Sequence, residues 1–222
     1  QAAQAFNTMR TRILQFVSQR TEMLAGVSHD LRTPLTRMRL ETEMLADKNE
    51  VAALKSDISE MEAMVEGYLA FARNQDIEGS IEINLSEIMN LIARNARRQG
   101  ASIKVNIRDE ILMTLQPNSF RRCINNIVDN ARRYAKYIEI NAKRKEGFIE
   151  IKIDDDGPGI PESKLKEVLR PFRRVDESRN TETGGLGLGL AIASDVIRSH
   201  GGEIELSKSR LGGLSVLLKI PI

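Results

Sequence analysis

The run VSHDLRTPLTRM sets a histidine beside an acid and close to a hydroxyl. Asp30 follows His29 directly, and Thr33 lies one helical turn further on. A carboxylate beside an imidazole can keep one ring nitrogen protonated and leave the other nucleophilic. Apolar residues recur every seven positions along this segment, at Leu24, Leu31, Met38 and Leu45. A helix with these residues on its seam turns His29 to the opposite, solvent-facing side, where it is either a nucleophile or a solvated bystander.

A carboxylate at the end of a strand is the second chemical feature. In FIEIKIDDDGPGI, the alternation of the strand puts Asp155 on the same face as three isoleucines, which helices should cover. A buried carboxylate needs a partner, such as the exocyclic amine of adenine, and Gly157 and Gly159 would let a flat ring approach the backbone. The alternative is a simple Asx turn at the end of the strand.

Two asparagines one helical turn apart could bind a metal ion. Asn126 and Asn130 share a side of a predicted helix with Arg133. The opposite side is apolar and consists of Phe120, Ile124, Ile127, Val128 and Ala131. An amide oxygen is a suitable single protein ligand for Mg²⁺, which takes its other ligands from waters and nucleotide phosphates. Exposed asparagines on an amphipathic helix are the ordinary alternative.

A glycine-rich run directly precedes the last predicted helix. The glycines of TGGLGLGLAIASDVI are Gly184, Gly185, Gly187 and Gly189. Free backbone N–H groups and the helix dipole at such a place favour phosphate. The preceding RRVDESRNTET is polar and predicts no strand, which argues against a dinucleotide fold, and no GK[ST] supports a P-loop. A charged lid hinged by glycines over a nucleotide fits the pattern better.

Composition limits the class of protein. The 222 residues are 41% hydrophobic and 29% charged, which allows one ordinary globular domain plus a smaller module. No apolar stretch approaches the ~20 residues that span a bilayer, and no signal peptide opens the sequence. Because the chain starts with Gln rather than Met, we expect an excised fragment, with membrane attachment only through an upstream segment absent from it. The lone Cys123 excludes an intrachain disulfide and fits a reducing compartment.

Charge gives a further constraint. A formal net charge of +2 is too small to imply a nucleic-acid partner. Basic residues nevertheless cluster around one segment, at Arg121, Arg122, Arg132, Arg133, Lys136, Lys143, Arg144 and Lys145. They are either ordinary solvated faces or the surroundings of a phosphate-rich ligand.

The N-terminal part of the chain is predicted to be a helical hairpin. Residues from about Arg10 to Leu45 indicate one long helix, and ADKNE separates it from a second. The second helix carries a heptad seam at Val51, Leu54, Ile58, Met61, Val65, Tyr68 and Ala72. Two helices bury little by themselves, so we expect a second copy to complete a dimeric four-helix bundle.

After a linker, NQDIEGS, the pattern changes to strands alternating with helices. A strand is predicted at Ile81, Ile83 and Leu85, followed by a helix capped by Ser86 and ending near Arg98. SIKVNI and ILMTL follow as strands, then a helix from about Pro117 to Tyr134. YIEINAKR and FIEIKID form a hairpin around KEG, and a helix ending near His200 precedes two closing strands. His200, before two glycines, is interpreted as a structural histidine at the helix C-terminus. The second part is therefore predicted as α+β with a mixed sheet.

Four segments together resemble the sensor histidine kinases, with the greatest likeness to the osmosensor (EnvZ-like) subgroup. HDLRTP resembles the phospho-acceptor box, NIVDNARRY the asparagine box, DDDGPGI the aspartate-glycine box and GGLGLGLAI the glycine lid box. Their order and spacing cover nearly the whole chain, and four motifs in one order are far more specific than any one of them. The resemblance implies a dimerisation and histidine phosphotransfer hairpin at residues 1–77 and a catalytic α/β sandwich of the ATP-binding GHKL (Bergerat) type at residues 78–222.

The resemblance also implies roles for single residues. His29 would be phosphorylated, Asp30 would orient and deprotonate it, and Thr33 would help to position a water that dephosphorylates the partner. Asn130 would bind Mg²⁺. The other residues implied at the nucleotide are Asn126, Arg133, Tyr134, Asp155, Gly157, Gly159, Phe172, Gly185, Gly187 and Gly189. Leu186 departs from the family, which often has Ser or Thr there.

The function implied is ATP-dependent autophosphorylation of a histidine in a homodimer, transfer to an aspartate of a response regulator receiver domain, and phosphatase activity on that regulator. The location implied is the cytoplasmic portion of a bacterial inner-membrane sensor. Two alternatives stay open at this point. One is an ATPase that drives dimer closure, and the other is a scaffold with a degenerate nucleotide site.

Overall fold

The computed structural model describes residues 9, 31, 33–42, 51, 54–55, 58–59, 61–62, 65, 78–107, 109–171, 173 and 187–222. The chain forms two compact units, Gln1–Ile77 and Glu78–Ile222. None of the helices in these ranges combines the length and the apolar character needed to cross a bilayer.

The first unit is helical wherever it is described. Residues 33–42 form a helical segment, and the described residues between 51 and 65 are helical too. The guanidinium of Arg39 lies 3.6 Å from the carboxylate of Glu62, so the two segments lie side by side. Leu35 and Ile58 are buried, at 6% and 3% exposed, and Thr42 is buried as well.

Each helical segment of the first unit also carries a second apolar row that stays open to solvent. Leu31 and Met38, seven residues apart, are 46% and 47% exposed, and Leu54 and Met61 are 44% and 38% exposed. Among the described residues, the first unit therefore buries Leu35, Thr42 and Ile58 and leaves the pairs Leu31 with Met38 and Leu54 with Met61 half-exposed.

The second unit has the α+β architecture that the sequence predicts. Its strands are β1 (Ile81–Asn84), β2 (Ser102–Ile107), β3 (Leu112–Leu115), β4 (Tyr137–Lys145), β5 (Phe148–Asp155), β6 (Glu203–Lys208) and β7 (Leu214–Pro221). Its α-helices are α1 (Leu85–Arg98), α2 (Pro117–Tyr134) and α3 (Gly189–Ser199), and a short 3₁₀ helix covers Glu162–Lys164. The sequence did not predict this 3₁₀ turn.

The main sheet is mixed, as predicted, and has the strand order β2-β4-β5-β7-β6. β2 and β4 are parallel, and the other neighbours are antiparallel. β1 and β3 form a separate two-stranded sheet, which the sequence did not predict. One face of the main sheet is apolar and lies under the three helices, whereas the other carries charged pairs such as Lys143 with Glu150. The core therefore lies between the helices and one face of the sheet.

The start of α1 corrects one prediction. Leu85 is the first helical residue and not the last of the strand, and Ser86 is not the cap. Asn84 has extended backbone angles, and its side chain accepts a hydrogen bond from the Ser86 N–H at 2.9 Å. The error has a physical reason: Leu85 fits both the alternation of β1 and the helical period of the buried face of α1, and Asn caps helices as well as Ser.

Candidate functional site

Asp155 lies at the end of β5 on the apolar face of the sheet, where its register partner on β4 is Ile138. It is only 6% exposed. Its Oδ1 accepts hydrogen bonds from the backbone N–H of Gly157 at 2.9 Å and of Leu214 at 3.0 Å. Burial raises the pKa of this carboxyl, and the two backbone hydrogen bonds partly oppose that shift. A buried carboxylate and an Asx turn are therefore compatible interpretations of this motif, because the Asp155 carboxylate is buried and its Oδ1 also closes the turn.

The loop between β6 and β7 holds this carboxylate, which sequence reasoning missed. Gly213 donates its N–H to the Asp155 carbonyl at 3.1 Å, and a Cβ at Gly213 would overlap Asp155 Oδ1 and lie 2.5 Å from the Gly157 nitrogen. Only glycine fits here. The available signal was the glycine pair in RLGGLS, but nothing in the sequence connects that pair with Asp155.

The turn after β5 also contacts the end of α2. A Cβ at Gly157 would lie 3.0 Å from the Tyr134 carbonyl oxygen. Asp156 Oδ1 accepts hydrogen bonds from the Lys136 and Tyr137 N–H groups, both at 2.8 Å. The Tyr137 hydrogen bond, assisted by that from Lys136, lowers the pKa of Asp156. Gly159 follows with a φ of +73°, a conformation that favours glycine. The Asp156 hydrogen bonds and the close approach of Gly157 to Tyr134 thus hold the DDDGPGI segment against the junction of α2 and β4.

The polar face of α2 continues this site. Asn126 and Asn130 are half-buried, Arg133 and Tyr134 are exposed, and the opposite face of the helix is buried, as predicted. Asn126 Nδ2 is shielded from solvent and has no hydrogen-bond partner among the described residues. A shielded amide of this kind suits a site that a ligand or a closing segment completes.

The start of α3 lies against the same face of α2. A Cβ at Gly189, the first residue of α3, would lie 3.5 Å from the Asn126 carbonyl oxygen. Gly187 has a φ of +67°. Further along the two helices, the Cys123 thiol contacts the Ala193 carbonyl oxygen at 3.7 Å, and burial raises the pKa of Cys123 to about 12. Cys123 is thus a core residue.

His200 joins the two helices at their other ends. It caps the C-terminus of α3, which confirms the structural interpretation. Its Nδ1 lies 2.7 Å from the Val196 carbonyl oxygen, and its Nε2 accepts the Gln116 N–H at 3.1 Å. A carbonyl can only accept and a backbone N–H can only donate, so these contacts fit the tautomer in which Nδ1 is the donor and Nε2 the acceptor. Gln116 is the N-cap residue of α2.

The described residues include some of the predicted site residues and not others. Contacts join Asp155, Gly157 and Tyr134 in one group and Asn126 with Gly189 in another, and α2 carries a member of each group. The predicted residues outside the described ranges are His29, Asp30, Phe172 and Gly185, and Leu186 lies there too. Thr33 is described, and it is exposed on the helical segment of the first unit.

No group of three or more His, Cys, Asp or Glu side chains that could hold a metal ion occurs in the described part of the chain. Some members of the basic cluster have local partners: Lys143 pairs with Glu150 at 2.6 Å, and Arg132 with Asp129 at 3.5 Å.

Comparison with known proteins identifies both parts of the chain. Residues 19–77 match the family model of the His Kinase A (phospho-acceptor) domain. Residues 115–222 match the histidine kinase-, DNA gyrase B-, and HSP90-like ATPase. The second unit is thus an ATP-binding domain of the GHKL type. With the two domains in this order, the chain belongs to the histidine kinases.

Curated relatives agree with that assignment. The chain is 35% identical to the sensor histidine kinase GtrS of Pseudomonas aeruginosa over 222 residues, which are 100% of this chain and 46% of the relative. It is 34% identical to the sensor histidine kinase CpxA of Escherichia coli over 100% of this chain and 51% of the relative. It is also 30% identical to the sensor protein RstB of Escherichia coli, over 98% of this chain and 52% of the relative. The chain spans about half the length of these relatives.

Solved structures share the fold. The ATP-binding domain of PrrB from Mycobacterium tuberculosis matches with a TM-score of 0.55 and 24% identity, over 64% of this chain and 97% of that one. Full-length ShkA in complex with AMPPNP matches with a TM-score of 0.64 and 23% identity, over 90% of this chain and 45% of that one.

Proposed function

We propose that the chain phosphorylates its own His29 with ATP and passes the phosphoryl group to an aspartate on the receiver domain of a response regulator. The observation that carries the proposal is the buried Asp155 carboxylate, whose turn contacts the end of α2 at Tyr134, in a chain whose other domain is of the phospho-acceptor type. Phosphoryl transfer requires positioning and charge neutralisation more than covalent chemistry from the protein. The described residues offer groups for positioning.

Asp155 is proposed to recognise adenine. Both backbone hydrogen bonds described above are accepted by Oδ1. Oδ2 is therefore the oxygen we assign to the exocyclic amine. Gly157 and Gly159 leave the backbone bare where the ring would lie, and a larger residue at Gly157 would meet Tyr134.

Asn130 is proposed as the protein ligand of Mg²⁺, with Asn126, Arg133 and Tyr134 near the phosphates. Magnesium neutralises charge on the transferred phosphoryl group. The half-burial of Asn130 supports this role, because the amide is partly desolvated yet still accessible. Gly185, Gly187 and Gly189 would offer backbone N–H groups to the phosphates, and Phe172 would anchor the lid.

In the first unit, His29 is proposed as the nucleophile, with Asp30 holding the ring in the reactive tautomer. Thr33 is proposed to orient a water that attacks the phosphorylated regulator, which would make the protein a bifunctional kinase and phosphatase. The exposure of Thr33 on its helical segment supports this, since the hydroxyl is accessible to a partner.

The active form is proposed to be a homodimer. The half-exposed rows Leu31 with Met38 and Leu54 with Met61 are the surface that a second hairpin would cover in a four-helix bundle. Several relatives are named sensors, from which we infer that the chain is the cytoplasmic portion of a bacterial inner-membrane sensor. Membership of the osmosensor (EnvZ-like) subgroup stays a prediction, since the relatives reported above carry other names.

Incubation with γ-labelled ATP tests the proposal. We expect acid-labile, alkali-stable label on the wild-type chain, because phosphohistidine has that stability. The chain has two histidines, so His29→Gln and His200→Gln form a matched pair. His29→Gln should lose all label and still bind ATP, since the nucleotide residues lie in the other unit. His200→Gln should keep the label.

The other outcomes each reject the proposal. Label that persists in His29→Gln would reject the nucleophile. Free phosphate without labelled protein would indicate an ATPase, and neither product would indicate a scaffold with a degenerate nucleotide site.

A further inference from the structure

The helix with the two asparagines lacks a cap of its own. α2 has no side-chain hydrogen bond from its N-cap residue Gln116 and no acidic residue in its first turn. The first backbone N–H groups of a helix have no partner within it and need one elsewhere. Pro117 has no N–H to satisfy. Three donors remain at this end, on Gln116, Asn118 and Ser119.

A distant carboxylate caps α2 instead. Glu78 Oε1 accepts the Asn118 N–H at 3.0 Å, and Glu78 Oε2 lies 3.2 Å from the N–H groups of both Asn118 and Ser119. The remaining donor, on Gln116, is bound by His200. All three donors are therefore satisfied by side chains from outside the helix. A negative charge at this end also interacts favourably with the helix dipole.

Glu78 is a point of attachment separate from the sheet. It is the first residue of the second unit. Gly79 and Ser80, which follow it, are exposed, and a Cβ at Gly79 would have no atom within 4 Å. The next attachment is Ile81, which pairs with Leu115 of β3. Without Glu78, the second unit would hold the chain only from Ile81 onward.

We propose that Glu78 is a positioning residue that fixes where the linker ends, by clamping the chain to the first turn of the helix that carries Asn126 and Asn130. Its effect on catalysis rests on the proposed function, because His29 and the nucleotide residues lie in different units. The clamp leaves four residues of the predicted linker outside it, 74–77, and its loss would release all seven, 74–80. For a linker longer than the span it bridges, effective concentration falls roughly as the −3/2 power of length, so lengthening it from four residues to seven should slow His29 phosphorylation about twofold.

The test compares three variants of the full chain. Glu78→Ala removes the clamp, and Glu78→Gln keeps an acceptor oxygen but not the charge. Glu82→Ala is the matched control, since Glu82 is an exposed acid on β1 that pairs through its backbone with Thr114. Circular dichroism confirms that each variant is folded.

Two readouts do not depend on catalysis. In Glu78→Ala, amide exchange at Asn118 and Ser119 should accelerate about tenfold, as expected for the loss of a helix cap. Cleavage within 74–80 by a low dose of subtilisin, located by mass spectrometry, should also accelerate. Glu78→Gln should lie between the wild type and Glu78→Ala, and Glu82→Ala should match the wild type. Unchanged exchange or unchanged cleavage in Glu78→Ala would overturn the clamp.

The catalytic readout separates positioning from nucleotide binding. At saturating ATP, Glu78→Ala should phosphorylate His29 about twofold more slowly, while its ATP dissociation constant stays at the wild-type value. Equal rates would overturn the positioning role. A weakened ATP affinity would also overturn it, because the residue would then act through the nucleotide site. If the wild-type chain forms no phosphohistidine, the proposed function fails, and exchange and cleavage still decide the clamp.

Discussion

At the scale of single residues, Asp155 combines a structural and a recognition role in one carboxylate. Oδ1 is committed to the Gly157 and Leu214 N–H groups, and Oδ2 is the oxygen we assign to a ligand. An asparagine has the same shape and can present its single oxygen to the two backbone donors. Asp155→Asn therefore separates the two roles.

We expect Asp155→Asn to fold normally and to bind ATP more weakly by about 1.5–3 kcal/mol, the usual range for a hydrogen bond to a charged group. Titration calorimetry measures the change. Asp156→Asn is the matched control, because it removes the adjacent charge at a residue whose Oδ1 serves only the start of β4. An Asp155→Asn variant with wild-type affinity would contradict the adenine role.

The same pair of variants should show opposite dependences of stability on pH. Burial raises the pKa of Asp155, so the folded chain binds this proton more tightly than the unfolded chain. The free energy of unfolding of the wild type relative to Asp155→Asn should therefore fall as pH rises from the ordinary Asp value through the raised folded value.

For Asp156 the sign is reversed. Hydrogen bonds, that from Tyr137 first, lower the pKa of Asp156, so its contribution is present above the ordinary value and is lost as pH falls through the lowered one. Urea unfolding of the wild type and both variants between acidic and neutral pH measures the two trends. Parallel trends would contradict the assigned environments.

Sequence patterns located the residues whose surroundings are local and missed those whose partners are distant. The burial of Asp155 follows from the parity of β5 and is confirmed. Gly213 and Glu78 were missed because each acts on a residue dozens of positions away, and neither carries a motif of its own. Pairing across such distances depends on the tertiary fold, which spacing along the chain does not encode.

At the scale of elements, the strand alternation and the helix N-cap indicate different boundaries at the junction of β1 and α1. The alternating pattern runs one residue too far, to Leu85, which is fully buried and belongs to the helix. The backbone N–H of Leu85 donates to the Ile111 carbonyl at 2.9 Å, which ties the start of the helix to the residue before β3. Tertiary contacts thus decided a boundary that the local pattern left ambiguous.

Asn84→Ala should destabilise the second unit by about 1 kcal/mol, the typical loss for an N-cap. Ser86→Ala should have a much smaller effect, since Ser86 contributes only its backbone N–H to the cap. Chemical denaturation followed by circular dichroism gives both values. If Ser86→Ala were the more damaging change, the original assignment of Ser86 as the cap would be right.

The helices and strands themselves were largely predictable, because each carries its own period and turn residues. The predicted helix from about Pro117 to Tyr134 has those bounds in the structure. The strand order of the main sheet and the separate pairing of β1 with β3 were not predicted. Several orders satisfy the same alternation of apolar residues, and only packing in three dimensions selects one.

At the scale of the whole molecule, the half-exposed rows of the first unit predict self-association. Met38→Glu places a charge in the row that the proposed dimer covers and should shift the chain from dimer to monomer. Leu40, 59% exposed and two residues on, points away from that row, so Leu40→Glu is the matched control. Sedimentation velocity distinguishes a 24.9 kDa monomer from a species of twice that mass. A monomeric wild type would contradict the dimer.

The buried thiol of Cys123, between α2 and α3, can report on the separation of these two helices. Cys123 is the only thiol in the sequence, and with a pKa of about 12 it is almost entirely protonated at neutral pH. Alkylating reagents attack the thiolate, so the native chain should resist modification until the two helices separate. The rate of alkylation would then measure how often the two helices separate. A nucleotide that holds α2 and α3 together would slow this reaction, and no engineered probe is needed to detect it.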